Sequence, residues 1–263
     1  MLNGKIQSFP LSSWRKEFQL AKECGFDMIE WVLDLTELEQ NPILDETGRR
    51  DISLMQQIHC IGVPFICCDY FMEYPLHSKI SKIRIQAQKM LSKLLRVCPE
   101  VGIRGIEIPF IGKAGITTDE DTECITTLFN DLTPQLEECN VNLLLETDLA
   151  PQKISLLFEQ IRSSRIQINY DTGNSAYWGY KPDDEIPLYG HRIGNIHIKD
   201  CTPEAYSVPL GKGAVNFDLV FQLLREVDYR GDFILQTARD NDNVGVAKIY
   251  RQFTIDYIER YLR

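Results

Sequence analysis

Residues 166–171, IQINYD, decide the fold: a short apolar run of β type is closed by a carboxylate, and the same form recurs along the chain. Glu30 sits in DMIEWV, Asp69 closes PFICCD, Glu107 sits in GIEIPF and Glu146 in NLLLET. Asp171, His197 (GNIHIKD) and Gln236 (FILQTA) complete the series. Successive gaps are 39, 38, 39, 25, 26 and 39 residues, room each time for a strand, a loop and one helix. That is the rhythm of repeated βα units. When such strands close into a barrel, their carboxyl-terminal ends converge on one mouth, where polar residues read as the active site. The expected fold is therefore α/β, a (β/α)8 TIM barrel, with a ring of carboxylates, one imidazole and one amide aimed at a common point.

Helical signals fall between these strands. Ser12-Ser13 followed by Glu17 predicts a capped helix to Glu23, with Gly25 as its stop. Ile80, Ile83, Ala87, Met90, Leu91, Leu94 and Leu95 recur near helical period and place a helix over residues 79–97, before Pro99. Residues 118–139, 153–162, 217–227 and 246–262 read as further outer helices, and the Pro- and Asp-rich residues 181–188 as an exposed loop. Only seven strands are counted. An eighth would have to come from MLNGKIQSFPL, residues 1–11, so the first strand is expected to be short or missing at the amino terminus, or else the chain begins inside a longer protein. No linker or low-complexity segment intervenes, and residues 1–263 read as a single barrel domain.

The 28 basic and 38 acidic side chains leave a net charge of −10, which would repel a phosphate backbone and argues against a nucleic-acid partner. No apolar run approaches the roughly 20 residues that cross a bilayer, and the opening residues lack the apolar core of a signal peptide. A cytoplasmic protein with no membrane partner is expected, and a homodimer is left open. The eight cysteines form no CxxC pair and read as reduced and structural.

Along an extended strand side chains alternate, so His197 and Lys199 share one face while Ile196, Ile198 and Asp200 take the other. A lone strand histidine is more often a hydrogen-bonded core residue than a ligand. Its alignment with Glu146 and Asp171 favours a ligand. A carboxylate at the end of a buried strand is costly to desolvate without a cation, although a salt bridge or a helix cap would also answer that need. Two carboxylates and an imidazole on neighbouring strands suit one divalent metal ion, with Mn²⁺ or Mg²⁺ favoured and Co²⁺ or Zn²⁺ allowed.

YDTGN, NIHIKD, VPLGKGAVNF and FILQTAR, together with GFDMIEW and CCDYFMEYPL, give the chain a further character. It resembles the sugar phosphate isomerase/epimerase branch of the xylose-isomerase-like barrels, which also holds ketose 3-epimerases and keto-inositol dehydratases. The resemblance implies a divalent metal held by a Glu, an Asp, a His and a second Glu. The first three fall on Glu146, Asp171 and His197, and the fourth on Gln236. A Gln carbonyl can ligate a hard cation but cannot accept a proton at neutral pH. Epimerases of this pattern remove and return a proton with two carboxylates on opposite faces of the substrate, whereas 1,2-isomerisation through a cis-enediol can use one base. Glu146 is the expected catalytic base, with Glu107 or Glu30 as a second acid, and Glu107 is also a substrate-binding candidate. A histidine common in ketose epimerases three residues after the metal-binding Asp is Asn174 here, which makes Asn174 a substrate-binding candidate.

Lys199 and Arg239 are candidates for gripping a phosphate or the distal end of a sugar, with rim salt bridges the plain alternative. The loop 209–213 can approach a ligand closely because Gly211 and Gly213 lack side chains, or is a simple turn. Trp31, Phe71, Tyr177 and Trp178 could wall a sugar ring. The leading expectation is a metal-dependent isomerase or epimerase acting on a small-molecule sugar or sugar phosphate, by α-proton abstraction and a metal-stabilised enediolate. Alternatives are a keto-inositol dehydratase-like lyase and a non-catalytic sugar-binding barrel. Related DNA-repair endonucleases need a histidine-rich zinc cluster, and this chain has only four histidines.

Overall fold

The computed structural model describes residues 7–263. The chain packs as two compact units, one running to Thr147 with Ile161–Ile166, the other formed by Asp148–Gln160 and Gln167–Arg263.

The first unit runs α1 (Trp14–Cys24), β1 (Met28–Val32), α2 (Glu46–His59), β2 (Gly62–Cys67), α3 (Tyr70–Glu73), α4 (Ser81–Val97), β3 (Gly105–Phe110), α5 (Asp119–Cys139) and β4 (Asn142–Thr147). The strands pair in parallel in sequence order, with Cys67 opposite Glu107 and Pro109 opposite Glu146. Each parallel step needs a crossover, and α2, α4 and α5 supply them. The start of α5 follows from its sequence: the Thr118 hydroxyl accepts the Asp121 N–H, Asp121 returns the bond to the Thr118 N–H, and three acids occupy the first turn. All six residues of β3 are buried, as a parallel strand covered on both faces requires. Ile106, Ile108, Leu143 and Leu145 take one face of β3 and β4, and Glu107 and Glu146 take the other.

The second unit runs α6 (Pro151–Glu159), β5 (Ile166–Asp171), α7 (Thr172–Tyr177), α8 (Pro182–Tyr189), β6 (Ile193–Ile198), β7 (Asp200–Thr202), β8 (Ala205–Val208), α9 (Phe217–Glu226), β9 (Asp232–Leu235) and α10 (Asn243–Tyr261). β5 pairs with β6 and β6 with β9, all parallel, while β7 and β8 form an antiparallel hairpin. Phe233 of β9 stacks on Phe221 of α9 with centroids 5.3 Å apart. This fixes Ile196 and Phe233, which lie in register, as the helix-facing side, and leaves His197 and Ile234 on the opposite side.

Residues 181–188 are not a loop: Pro182 starts α8, and Glu185, Ile186 and Tyr189 are buried. The Glu185 carboxylate accepts from Tyr170 (3.0 Å), Tyr189 (2.8 Å) and the Ser175 hydroxyl, three partners that make a buried acid tolerable. The first strand, expected to be short or missing on residues 1–11, lies partly outside the described residues, and residues 7–13 form no strand. No described helix is long and apolar enough to cross a membrane.

Candidate functional site

In the second unit, β5 and β6 set Asp171 directly opposite His197. Both are buried, at 4% and 0% exposure. Asp171 caps α7, its Oδ1 accepting the Asn174 N–H at 2.8 Å. Its Oδ2 is buried and accepts no hydrogen bond. A carboxylate oxygen held this way, with an imidazole on the same strand face, is donor chemistry that fits a divalent cation.

Lys199 lies two residues past His197 on that face, and it is not a rim residue. It is 1% exposed, because Asn174, Asp171 and Tyr206 enclose its head. Its Nζ donates to Asn174 Oδ1 at 2.8 Å, stands 3.7 Å from Asp171 Oδ2 and lies 3.6 Å from the centre of the Tyr206 ring. A buried ammonium requires such partners. Tyr206, on β8, meets the Tyr177 ring edge-on at 5.1 Å. Gly173 leaves room for the lysine stem: a Cβ there would fall 2.5 Å from Lys199 Cγ.

The loop after β8 is organised by Asp200, which sequence reading left on the far face. Fully buried, its carboxylate accepts the N–H groups of Cys201 (3.0 Å), Gly211 (2.9 Å), Gly213 (2.8 Å) and Val215 (3.2 Å). Gly211 has φ 75°, and a Cβ at Gly213 would fall 2.1 Å from Asp200 Oδ1, so both glycines are demanded by this anchor. Gln236 is half-buried and its N–H extends the ladder to Ile198 O at 3.2 Å. Arg239 is exposed.

In the first unit, Glu107 is fully buried and accepts from the Cys67 thiol at 3.4 Å. The thiol also lies 3.6 Å from Asp69 Oδ1, and Gln7 Nε2 donates to both Asp69 oxygens, at 3.2 and 3.1 Å. Burial, with the nearby carboxylates, pushes the Cys67 thiol well up, so it stays protonated and donates. Burial also raises Asp69 to about 6, against the lowering effect of Gln7. Glu146, the fifth residue of β4, is buried at 6%. Glu30 lies inside β1 rather than at its end.

Past β1, the buried carboxylate is Asp34, missed from sequence although it closes WVLD. It accepts from Ser8 (3.0 Å) and from the Thr36 N–H (3.1 Å) and hydroxyl (3.0 Å). Trp31 and Phe71 do not wall a ligand. Trp31 is 3% exposed, packs on Phe9 and Trp14 and donates to Asn41, and Phe71 is 1% exposed against Tyr70.

Parallel βα units that carry buried carboxylates and a histidine at and beyond their strand ends define a (β/α)-barrel protein. Residues 18–255 match the xylose isomerase-like TIM barrel family, and the chain belongs to it. It is similar to L-ribulose-5-phosphate 3-epimerase UlaE of Salmonella heidelberg (strain SL476), 26% identical over 247 residues that cover 89% of this chain and 87% of that one. Among solved structures it is similar to an L-ribulose 3-epimerase, with a TM-score of 0.78 and 18% identity over 98% of this chain and 92% of the other. It is also similar to the IOLI protein with a bound zinc atom, with a TM-score of 0.77 and 14% identity over 94% and 93% of the two chains. The two structural likenesses are of fold.

Proposed function

We propose that the protein is a metal-dependent sugar or sugar-phosphate isomerase or epimerase. The observation that carries the reading is the buried pair Asp171 and His197, set opposite one another on neighbouring strands, with Asp171 Oδ2 accepting no hydrogen bond and standing 3.7 Å from Lys199 Nζ. The relationship to L-ribulose-5-phosphate 3-epimerases supports a ketose phosphate as substrate. Glu146, Asp171, His197 and Gln236 would hold one divalent ion, Mn²⁺ or Mg²⁺ ahead of Co²⁺ or Zn²⁺. When bound, the ion would withdraw charge from the sugar's carbonyl and hydroxyl oxygens and ease removal of the α-proton.

The chain's own groups divide the remaining work. The Glu146 carboxylate takes the α-proton. Gln236 cannot hold a proton at neutral pH, so return of the proton falls to Glu146 itself or to a second acid such as Glu107, which is buried on the same strand face as Glu146. Lys199 orients Asp171 and Asn174 rather than gripping a phosphate, because its charge is already committed. Arg239, exposed, is the better phosphate ligand. All eight cysteines are free, which fits a reducing compartment such as the cytoplasm.

Gln236 favours one further reading, a barrel that binds a sugar without turning it over. Product analysis of L-ribulose 5-phosphate incubated with the Mn²⁺-supplemented protein separates the two. Epimer or aldose formation supports the enzyme; binding with unchanged sugar supports the binding protein.

A further inference from the structure

We infer that Asn169 and Asn195 hold ordered water between β5 and β6, beneath the rung formed by Asp171 and His197. The two asparagines lie opposite one another in register, each two residues before the rung and on its face, roughly 6.6 Å lower along the strands. The pairing depends on an irregularity: Ile168 is opposite Ile193 but Asn169 is opposite Asn195, so Gly194 is the extra residue that brings the amides face to face.

Asn169 is 3% exposed and Asn195 fully buried, and neither the oxygen nor the nitrogen of either amide has a hydrogen-bond partner. Each amide offers two donors and an acceptor with two lone pairs, and burying such a group unmatched is costly. Protein interiors meet this need with water, which takes two to four polar partners. Two opposed amides provide that number. Neutral amides also bring no charge to offset the dehydration of a cation, which makes water the fitting ligand. The water site is independent of the proposed activity.

A crystal structure of the parent protein at a resolution that shows solvent tests the inference directly. One or more solvent peaks within hydrogen-bond distance of both amides are expected. Amides bonded only to protein groups would overturn it, as would a peak that gains anomalous signal when rubidium replaces sodium in the buffer, since that marks a cation. Oxygen-17 relaxation dispersion gives a second readout in solution. The Asn169→Leu/Asn195→Leu double variant should lose at least one long-lived internal water, and an unchanged count would overturn the site. If the double variant does not fold, the parent crystal decides.

Discussion

Lys199 and Asp171 form an ion pair in which both side chains are 1% exposed, their charged atoms 3.7 Å apart. The lysine is closed off from above by Tyr206 and held laterally by Asn174. Lys199→Met removes the cation and leaves the Asp171 carboxylate buried without its partner, a loss of about 3 kcal/mol. Urea denaturation should show that loss, and Mn²⁺ should restore more stability to the variant than it adds to the parent, because a metal replaces the missing positive charge. Equal stabilisation of both by Mn²⁺ would separate Lys199 from the metal site.

Asp200 holds four backbone N–H groups with one carboxylate. Hydrogen bonds to a charged group contribute about 1.5–3 kcal/mol each, and Asp200→Ala strands several donors at once. The variant should lose at least about 3 kcal/mol, and limited proteolysis should cut within residues 209–215. Resistance of that loop to protease in a folded Asp200→Ala protein would show that other contacts fix it.

Asp69 titrates at about 6 in the fold, above its ordinary 3.8, because it is buried. The folded state therefore binds the proton more tightly than the unfolded chain. The resulting stabilisation is full below about pH 4 and is lost as pH rises through 6, about 3 kcal/mol at most. Asp69→Asn, which resembles the protonated form, should remove this slope. Denaturation midpoints from pH 4 to 7 should fall for the parent relative to the variant; parallel profiles would contradict the assignment.

The strand series was legible because each βα unit repeats an apolar run before a polar residue, and α4 because its apolar residues recur at helical period; the cap expected at Ser12-Ser13 is not formed, since Ser13 stands at the start of α1 without a side-chain cap hydrogen bond. Register was not legible. Glu30 closes its run in sequence yet lies inside β1, and Asp34 takes the position past the strand. Residues 181–188 hid a helix because prolines read as breakers, although Pro182 serves as a helix start and Glu185 finds hydroxyl partners in Tyr170 and Ser175 outside the helix and in Tyr189 one turn on. Lys199 reaches Asp171, as its spacing from His197 suggests, but it is buried rather than at the rim, and that burial depends on Tyr206 and Gly173, which sequence alone does not bring to it.

The central claim is that Glu146 moves a substrate proton at a site that Asp171 and His197 help to form with a divalent ion. Its most direct test is incorporation of solvent deuterium into L-ribulose 5-phosphate, followed by NMR, for the parent, Glu146→Gln and His197→Ala, each with Mn²⁺ and with chelator. The account predicts exchange by the Mn²⁺-supplemented parent, loss of exchange with chelator, at least about 100-fold slower exchange by Glu146→Gln, and a higher Mn²⁺ concentration needed for half-maximal exchange by folded His197→Ala. Undiminished exchange by Glu146→Gln, or exchange by the parent that chelator leaves untouched, would contradict it.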